Sequence, residues 1–258
     1  MKFTFVIKLF TACGIFFLMM PGTSIYGQEV MNNTFVDSDA DGLTDWSELH
    51  VYHSNPMNAD TDFDGYFDGH EIENGYSPIN DKAYPLVWLD ADKDGLNDAW
   101  EIKLGSDLMN PDTDGDGIKD GQEVTDGYSP IRADKTPVKK QIRVDIKKFQ
   151  LQYFQDGALL DTILVSTGVR GYPTPRGDFK ILQKKPVVHY GGPGYDLPNT
   201  KWNLKFTIYN GWGYFIHGAY WHNLFGIKNV SHGCVNVAYK DMERLYEWAQ
   251  VGTPVHVQ

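Results

Sequence analysis

A cysteine works as a nucleophile only when a neighbour takes its proton and donors receive the charge it creates. The stretch "KNVSHGCVNV", residues 228–237, places Cys234 beside Gly233 and His232, with Asn236 two residues on. His217 lies 17 residues upstream, in "YFIHGAYWH". A base and a nucleophile are therefore present, and the N–H groups of Gly233 and Cys234 can converge on one oxygen because glycine permits unusual dihedrals. That set fits acyl transfer or hydrolysis through a thioester. Spacing alone leaves the bland reading open, in which Cys234 is a small buried hydrophobe.

The chain holds two cysteines, and the other is Cys13. Residues 1–27 read as a secretory signal peptide: Lys2 and Lys8, an apolar run from Leu9 to Met20, then Pro21 and small residues, with cleavage expected near Gly27. The run is short for a membrane span, so no stable membrane anchor is expected. Cleavage leaves Cys234 as the sole thiol of an exported protein, where cysteines normally pair. An unpaired thiol there suggests a reactive group.

A second chemistry is written four times. "DSDADGLTDWSE" starts at Asp37, "DTDFDGYFDGHE" at Asp60, "DADKDGLNDAWE" at Asp90 and "DTDGDGIKDGQE" at Asp112. Calcium needs six to eight oxygen ligands, and carboxylates at loop positions 1, 3 and 5 wrap around it. Glycine at position 6 permits the turn, position 9 often acts through water, and Glu at position 12 binds with both oxygens. The expected ligands are Asp37, Asp39, Asp41, Asp45 and Glu48; Asp60, Asp62, Asp64, Asp68 and Glu71; Asp90, Asp92, Asp94, Asp98 and Glu101; and Asp112, Asp114, Asp116, Asp120 and Glu123. "GYSPI" recurs at 75–79 and 127–131, so 37–84 and 90–136 read as two copies of one double-loop module. Only 11 residues, including Pro56, separate Glu48 from Asp60, which leaves room for one short helix per loop rather than a full EF-hand. The loops resemble bacterial thrombospondin type 3 and dockerin-like calcium repeats.

Charge divides the chain at the same place. Residues 28–136 carry 26 acidic and 6 basic side chains, a net of −20, whereas 137–258 carry 8 acidic and 15 basic, a net of +7. Such a break argues for two domains joined by a polar linker at 132–140. A segment at −20 with few large apolar residues is expected to fold only with metal, as a calcium-dependent rod or spacer.

The elements that must hold His217 and Cys234 follow from residue 141. "IRVDIKKFQLQYFQDGALLDTILVSTG" alternates apolar and polar residues around an Asp156-Gly157 turn, which is hairpin grammar. "FKILQKK", "KFTIYN", "YFIHG" and "TPVHV" are further strands. One helix stands out, "AYKDMERLYEWAQ", with Met242, Leu245, Tyr246 and Ala249 at helical spacing. The expected fold is a mainly β catalytic domain over 141–258, preceded by a calcium-loop repeat module with short helices.

"IHG" followed by "SHGCVN", together with "VSTGVRGYPTPRGDFKI" and "DMERLYEWAQVGTPVHV" in that order, resembles the L,D-transpeptidase (YkuD-type) catalytic domain. The resemblance spans 141–258 and implies a β-sandwich-like fold that cross-links bacterial peptidoglycan. It makes Cys234 the nucleophile and His217 the base, oriented by the carbonyl of Gly218. It places His232, Gly233 and Asn236 around the substrate pocket and oxyanion hole; many relatives carry Arg where Asn236 stands. Ser231 reads equally as a substrate contact or a turn staple. Trp221 and His222 are expected at the acceptor cleft, and Tyr190 and Tyr195 on a flap in "VHYGGPGYDLPNT". "PTPRGDF" reads as a turn before a strand, so Arg176 is given no chemistry.

The resemblance implies an exported transpeptidase that makes 3→3 cross-links, acting on peptidoglycan stem peptides in the periplasm or wall of a bacterium. Two alternatives share the site: an L,D-carboxypeptidase, if water replaces the acceptor amine, and a transferase that anchors proteins to peptidoglycan. A third is a non-catalytic calcium-dependent surface binder. The basic half could face anionic wall polymers. No nucleic-acid partner and no metal in the catalytic site are expected.

Overall fold

The computed structural model describes residues 36–192, 194–209 and 211–258; the expected signal peptide lies outside the described residues. No helix among the described residues is long and apolar enough to cross a membrane.

The acidic segment folds as four wound loops, each followed by a short helical piece. These are α1 (Asp45–Ser47) running into a wider turn at Glu48–Tyr52, α2 (Asp68–Asn74), α3 (Asp98–Leu104) and α4 (Asp120–Asp126). Each loop is closed the same way. The position-6 glycines Gly42, Gly65, Gly95 and Gly117 sit at φ between +92° and +105°. Each donates its N–H to the position-1 aspartate, at 2.9–3.2 Å. Loops then join in pairs, because Gly69 N–H reaches Asp41 at 3.0 Å and Gly121 N–H reaches Asp94 at 2.7 Å. A Cβ at Gly69 or Gly121 would lie 2.3 or 2.7 Å from the facing backbone, so this approach requires glycine.

The rest is a nine-stranded half-barrel sheet. Its strands are β1 (Lys140–Asp145), β2 (Gln150–Gln155), β3 (Ala158–Ser166), β4 (Gly177–Lys180), β5 (Gln183–Gly192), β6 (Tyr195–Tyr209), β7 (Trp212–Ala219), β8 (Val235–Ala238) and β9 (Pro254–Val257). They lie in the order β4-β9-β1-β2-β3-β8-β7-β6-β5. The Asp156-Gly157 turn joins β2 to β3, with both residues at positive φ, as a tight hairpin needs. Helix α5 (Tyr239–Trp248) buries Met242, Leu245 and Trp248 against the sheet at 0–1% exposure, each contributing roughly 1.5–3 kcal/mol.

One strand differs from expectation. "FKILQKK" is not one strand. It divides at Ile181 and Leu182, and β4 pairs with β9 at one edge while β5 pairs with β6 at the other. Ile181 is fully buried and its N–H bonds to Thr253 O, while Leu182 N–H bonds to Lys205 O, so two residues carry the chain directly from one sheet edge to the other. The expected flap is built as the far end of the long β5–β6 hairpin.

The acidic segment is also not a free spacer. Leu96, Trp100 and Val124 belong to the same buried cluster as the sheet and α5. The last residue of the expected linker, Lys140, is buried and opens β1.

Candidate active site and metal loops

Strands β7 and β8 run parallel as neighbours, with His217 opposite Asn236. Side chains alternate along an extended chain, so Val235 and Val237 fill the core while Cys234 and Asn236 face the other way. The crossover 220–234 returns the chain to that register and ends in the SHGC turn. Gly233 sits at φ +109°, and a Cβ there would lie 2.5 Å from the Tyr214 ring. The Ser231 hydroxyl donates to Cys234 O at 2.6 Å and accepts Gly233 N–H at 3.0 Å. Ser231, expected among the substrate contacts, is thereby engaged in holding the turn.

His217, Cys234 and Asn236 line one cavity of about 250 Å³, with Trp221, Tyr190, Tyr195, Leu197, Val230, Ser231 and His232. His217 Nδ1 lies 2.9 Å from Gly218 O. A carbonyl only accepts, so Nδ1 carries the hydrogen and Nε2 keeps a lone pair. Burial pushes the His217 imidazole down to about 4 despite that hydrogen bond, with His222 adding to the lowering. Burial likewise pushes the Cys234 thiol up to about 11, against a hydrogen bond from the Phe215 backbone. The resting pair is therefore thiol and neutral imidazole. A resting thiolate–imidazolium pair is disfavoured, because both charges would sit out of water.

Gly218 packs beneath the base, where a Cβ would meet the Tyr239 ring at 2.6 Å. The Tyr190 ring stacks on His217 at 4.9 Å, and its hydroxyl donates to Asn203 Oδ1 at 2.9 Å. Trp221 covers the other side, 5.8 Å from His217. His232 is exposed between Tyr172 and Tyr195, at ring separations of 4.9 and 5.1 Å. It sits at the mouth rather than beside the base. Asn203, Leu197 and Val230 carried no signal in the sequence; strand pairing alone brings Asn203 opposite His217.

Asn236 is 2% exposed, and its amide meets His222 Nε2 at 3.0 Å. Leu224 N–H donates to His222 Nδ1 at 3.2 Å, so Nδ1 accepts and the hydrogen of neutral His222 is on Nε2. The Asn236 atom facing it must then be the carbonyl oxygen, which assigns the NH₂ to the amide position that has no protein partner. Burial lowers the His222 pKa, which keeps that tautomer neutral.

In the acidic loops, the carboxylates of Asp37, Asp39 and Asp41 come within 4.8 Å of one another, as do those of Asp60, Asp62 and Asp64, of Asp90, Asp92 and Asp94, and of Asp112, Asp114 and Asp116. The position-12 glutamates are buried, at 0% exposure for Glu48, Glu101 and Glu123 and 4% for Glu71. Both oxygens of Glu101 and Glu123, and one each of Glu48 and Glu71, have no partner. Burial and the neighbouring aspartates push Glu101 up to about 9 and Glu71 up to about 8. Buried unpartnered carboxylate oxygens facing a ring of aspartates fit a hard divalent cation.

The position-9 aspartates also hold the loop backbone. Asp68 accepts Thr61 N–H and Oγ, Asp120 accepts Thr113 N–H and Oγ, and Asp45 accepts Ser38 N–H and Oγ, all at 2.6–2.9 Å. Asp98 accepts Ala91 N–H at 3.0 Å. They fasten position 2 of each loop, and Asp68 also comes within 4.8 Å of Asp41 and Glu48.

Residues 139–257 match the family model for the L,D-transpeptidase catalytic domain, and residues 90–107 and 112–127 match the bacterial TSP3 repeat. The chain is 32% identical over 100 residues to a probable L,D-transpeptidase 3 of Mycobacterium tuberculosis, which covers 36% of this chain and 37% of that protein. It is 26% identical over 182 residues to the probable L,D-transpeptidase ErfK/SrfK of Escherichia coli, covering 63% of this chain and 55% of that one. It thus spans about a third to half of the length of these relatives. Among solved structures, an L,D-transpeptidase from Mycobacterium smegmatis is 31% identical, with a TM-score of 0.44 over 48% of this chain and 60% of that one.

Proposed function

We propose, from an L,D-transpeptidase catalytic domain preceded by bacterial TSP3 repeats, that this protein is an exported enzyme that cross-links peptidoglycan through a thioester on Cys234. The observation that carries the reading is the His217 tautomer beside an unpaired thiol in one cavity.

Cys234 Sγ attacks the carbonyl carbon of the third residue of a tetrapeptide stem, and the thiol proton passes to the Nε2 lone pair of His217. The Gly218 carbonyl stabilises the imidazolium that forms. The oxygen that becomes negative is received by the Cys234 backbone N–H of the SHGC turn, the Gly233 N–H being already given to Ser231 Oγ. The C–N bond to the terminal D-alanine then breaks, and His217 returns its proton to the leaving amine. The side-chain amine of a second stem attacks the thioester, releases Cys234 as thiol and completes a 3→3 link. Tyr195, His232 and Trp221 border the entrance, and Asn236 supplies an amide NH₂ beside the nucleophile.

Calcium is the ion the loops suit, held by the aspartates at positions 1, 3 and 5 and the glutamates at position 12; it supplies charge neutralisation that lets those buried carboxylates ionise. Residues 1–27 act as the export signal, and the basic catalytic half faces anionic wall polymers.

Incubation with disaccharide-tetrapeptide tests the reading, with products followed by mass spectrometry beside Cys234→Ala. Cross-linked dimers that have lost one D-alanine are expected. Tripeptide monomers alone would identify a carboxypeptidase, and no Cys234-dependent product would overturn the enzymatic reading.

A further inference from the structure

The two loop pairs are wired alike but placed differently. In the second pair, each helix that carries a position-12 glutamate also carries a residue of the catalytic core. Trp100 directly precedes Glu101 and is 5% exposed; Val124 directly follows Glu123 and is 2% exposed. Leu96, at position 7 of the third loop, is 3% exposed. All three lie in the cluster formed by the sheet and α5. Trp100 meets Tyr153 of β2 edge-on at 5.6 Å, and Tyr153 meets Trp248 of α5 at 5.1 Å.

Polar contacts fasten the same seam. Lys140 Nζ, at the start of β1, donates to Val124 O of α4 and Trp248 O of α5, both at 2.7 Å. One amino group thus satisfies carbonyls near the C-terminal ends of both helices, and burial lowers its pKa to about 7. Gln250 Nε2 donates to Thr125 O at 3.1 Å, and Lys103 Nζ donates to Leu160 O at 2.8 Å.

The first pair has none of this. Ser47, Ile72 and Leu43 stand where Trp100, Val124 and Leu96 stand in the second pair, and none belongs to the catalytic cluster. Among the described residues, no hydrogen bond or ion pair joins 37–74 to 140–258; His53–Asp107, at 2.7 Å, ties the first pair to the second.

We propose that the four loops are metal sites of two kinds: an inner pair, 90–101 and 112–123, whose occupancy is coupled to the folding of the catalytic domain, and an outer pair, 37–48 and 60–71, whose occupancy is not. The physical reason is short range. Helices of seven residues do not persist alone. Without a cation, Glu101 and Glu123 leave four buried oxygens unpartnered on α3 and α4, a cost that opposes burying these helices against the sheet. Trp100 and Val124 then leave the core, which uncovers Tyr153 and Trp248. By linkage, calcium at saturating excess raises the melting temperature of the catalytic domain by roughly 10 °C.

The test is hydrogen exchange and thermal melting of the full chain in calcium, in magnesium and in a chelator. The readout is amide protection in β2 and α5, which is independent of the transpeptidase reading. Calcium is expected to slow exchange in both elements. Glu101→Gln with Glu123→Gln should abolish that response, while Glu48→Gln with Glu71→Gln should leave it unchanged. Trp100→Ala should weaken it although four ions still bind. Equal protection of β2 and α5 in calcium and chelator, in the wild-type chain alone, would overturn the proposal. So would an equal loss of response from both pairs of substitutions.

Discussion

The Gly218 carbonyl, one residue beyond His217, accepts the Nδ1 hydrogen of His217 at 2.9 Å and so leaves Nε2 as the only proton acceptor on that ring. The ring of His217 is held by its own strand, not by a distant carboxylate. With the thiol pushed up to about 11 and the imidazole down to about 4, neither group is charged at rest.

A pH profile follows. Alkylation of Cys234 by iodoacetamide should climb about tenfold per pH unit through neutrality, because thiolate accumulates only toward pH 11. Turnover should be flat near neutral pH and fall only as His217 protonates toward pH 4. The native state disfavours protonated His217, so this residue's contribution to stability is full above about pH 6.5 and is lost as pH falls toward 4. An alkylation rate that levels off below pH 7 would contradict the neutral pair.

Gly233→Ala should cost about 1–3 kcal/mol in thermal unfolding, since an L residue at φ +109° is strained and its Cβ meets Tyr214. Turnover should fall further than stability, because the same turn aims the Cys234 N–H proposed to receive the oxyanion. Calorimetry beside activity separates the two; an unchanged kcat would show that the turn carries no catalytic geometry.

His222 fixes the Asn236 amide, so its variants should divide by hydrogen bonding. His222→Gln keeps a donor for the Asn236 oxygen and should retain most activity. His222→Leu leaves that oxygen unpaired at a cost of about 1–3 kcal/mol, or roughly 5- to 160-fold in kcat/KM. Equal activity in the two variants would remove this role.

Much of this was legible in the sequence, because local rules governed it. The loop glycines, the Asp156-Gly157 hairpin and the face of α5 each follow from a spacing of a few residues. The break of "FKILQKK" at Ile181 was not legible, since both halves have strand composition and only the sheet edges separate them. Tyr190 over His217 depends on a hairpin register set by distant pairing. The docking of Trp100 was hidden by the charge pattern: a segment at −20 presents one apolar face built from three residues spread across two loops.

The central claim is the thioester on Cys234. Intact-protein mass spectrometry of the chain, quenched in acid soon after mixing with disaccharide-tetrapeptide, reads it directly. The account predicts an adduct equal to the stem minus its terminal D-alanine, bound to the peptide containing Cys234 and absent from Cys234→Ala. Cross-linked product that accumulates with no such adduct, or an adduct that survives in Cys234→Ala, would contradict it.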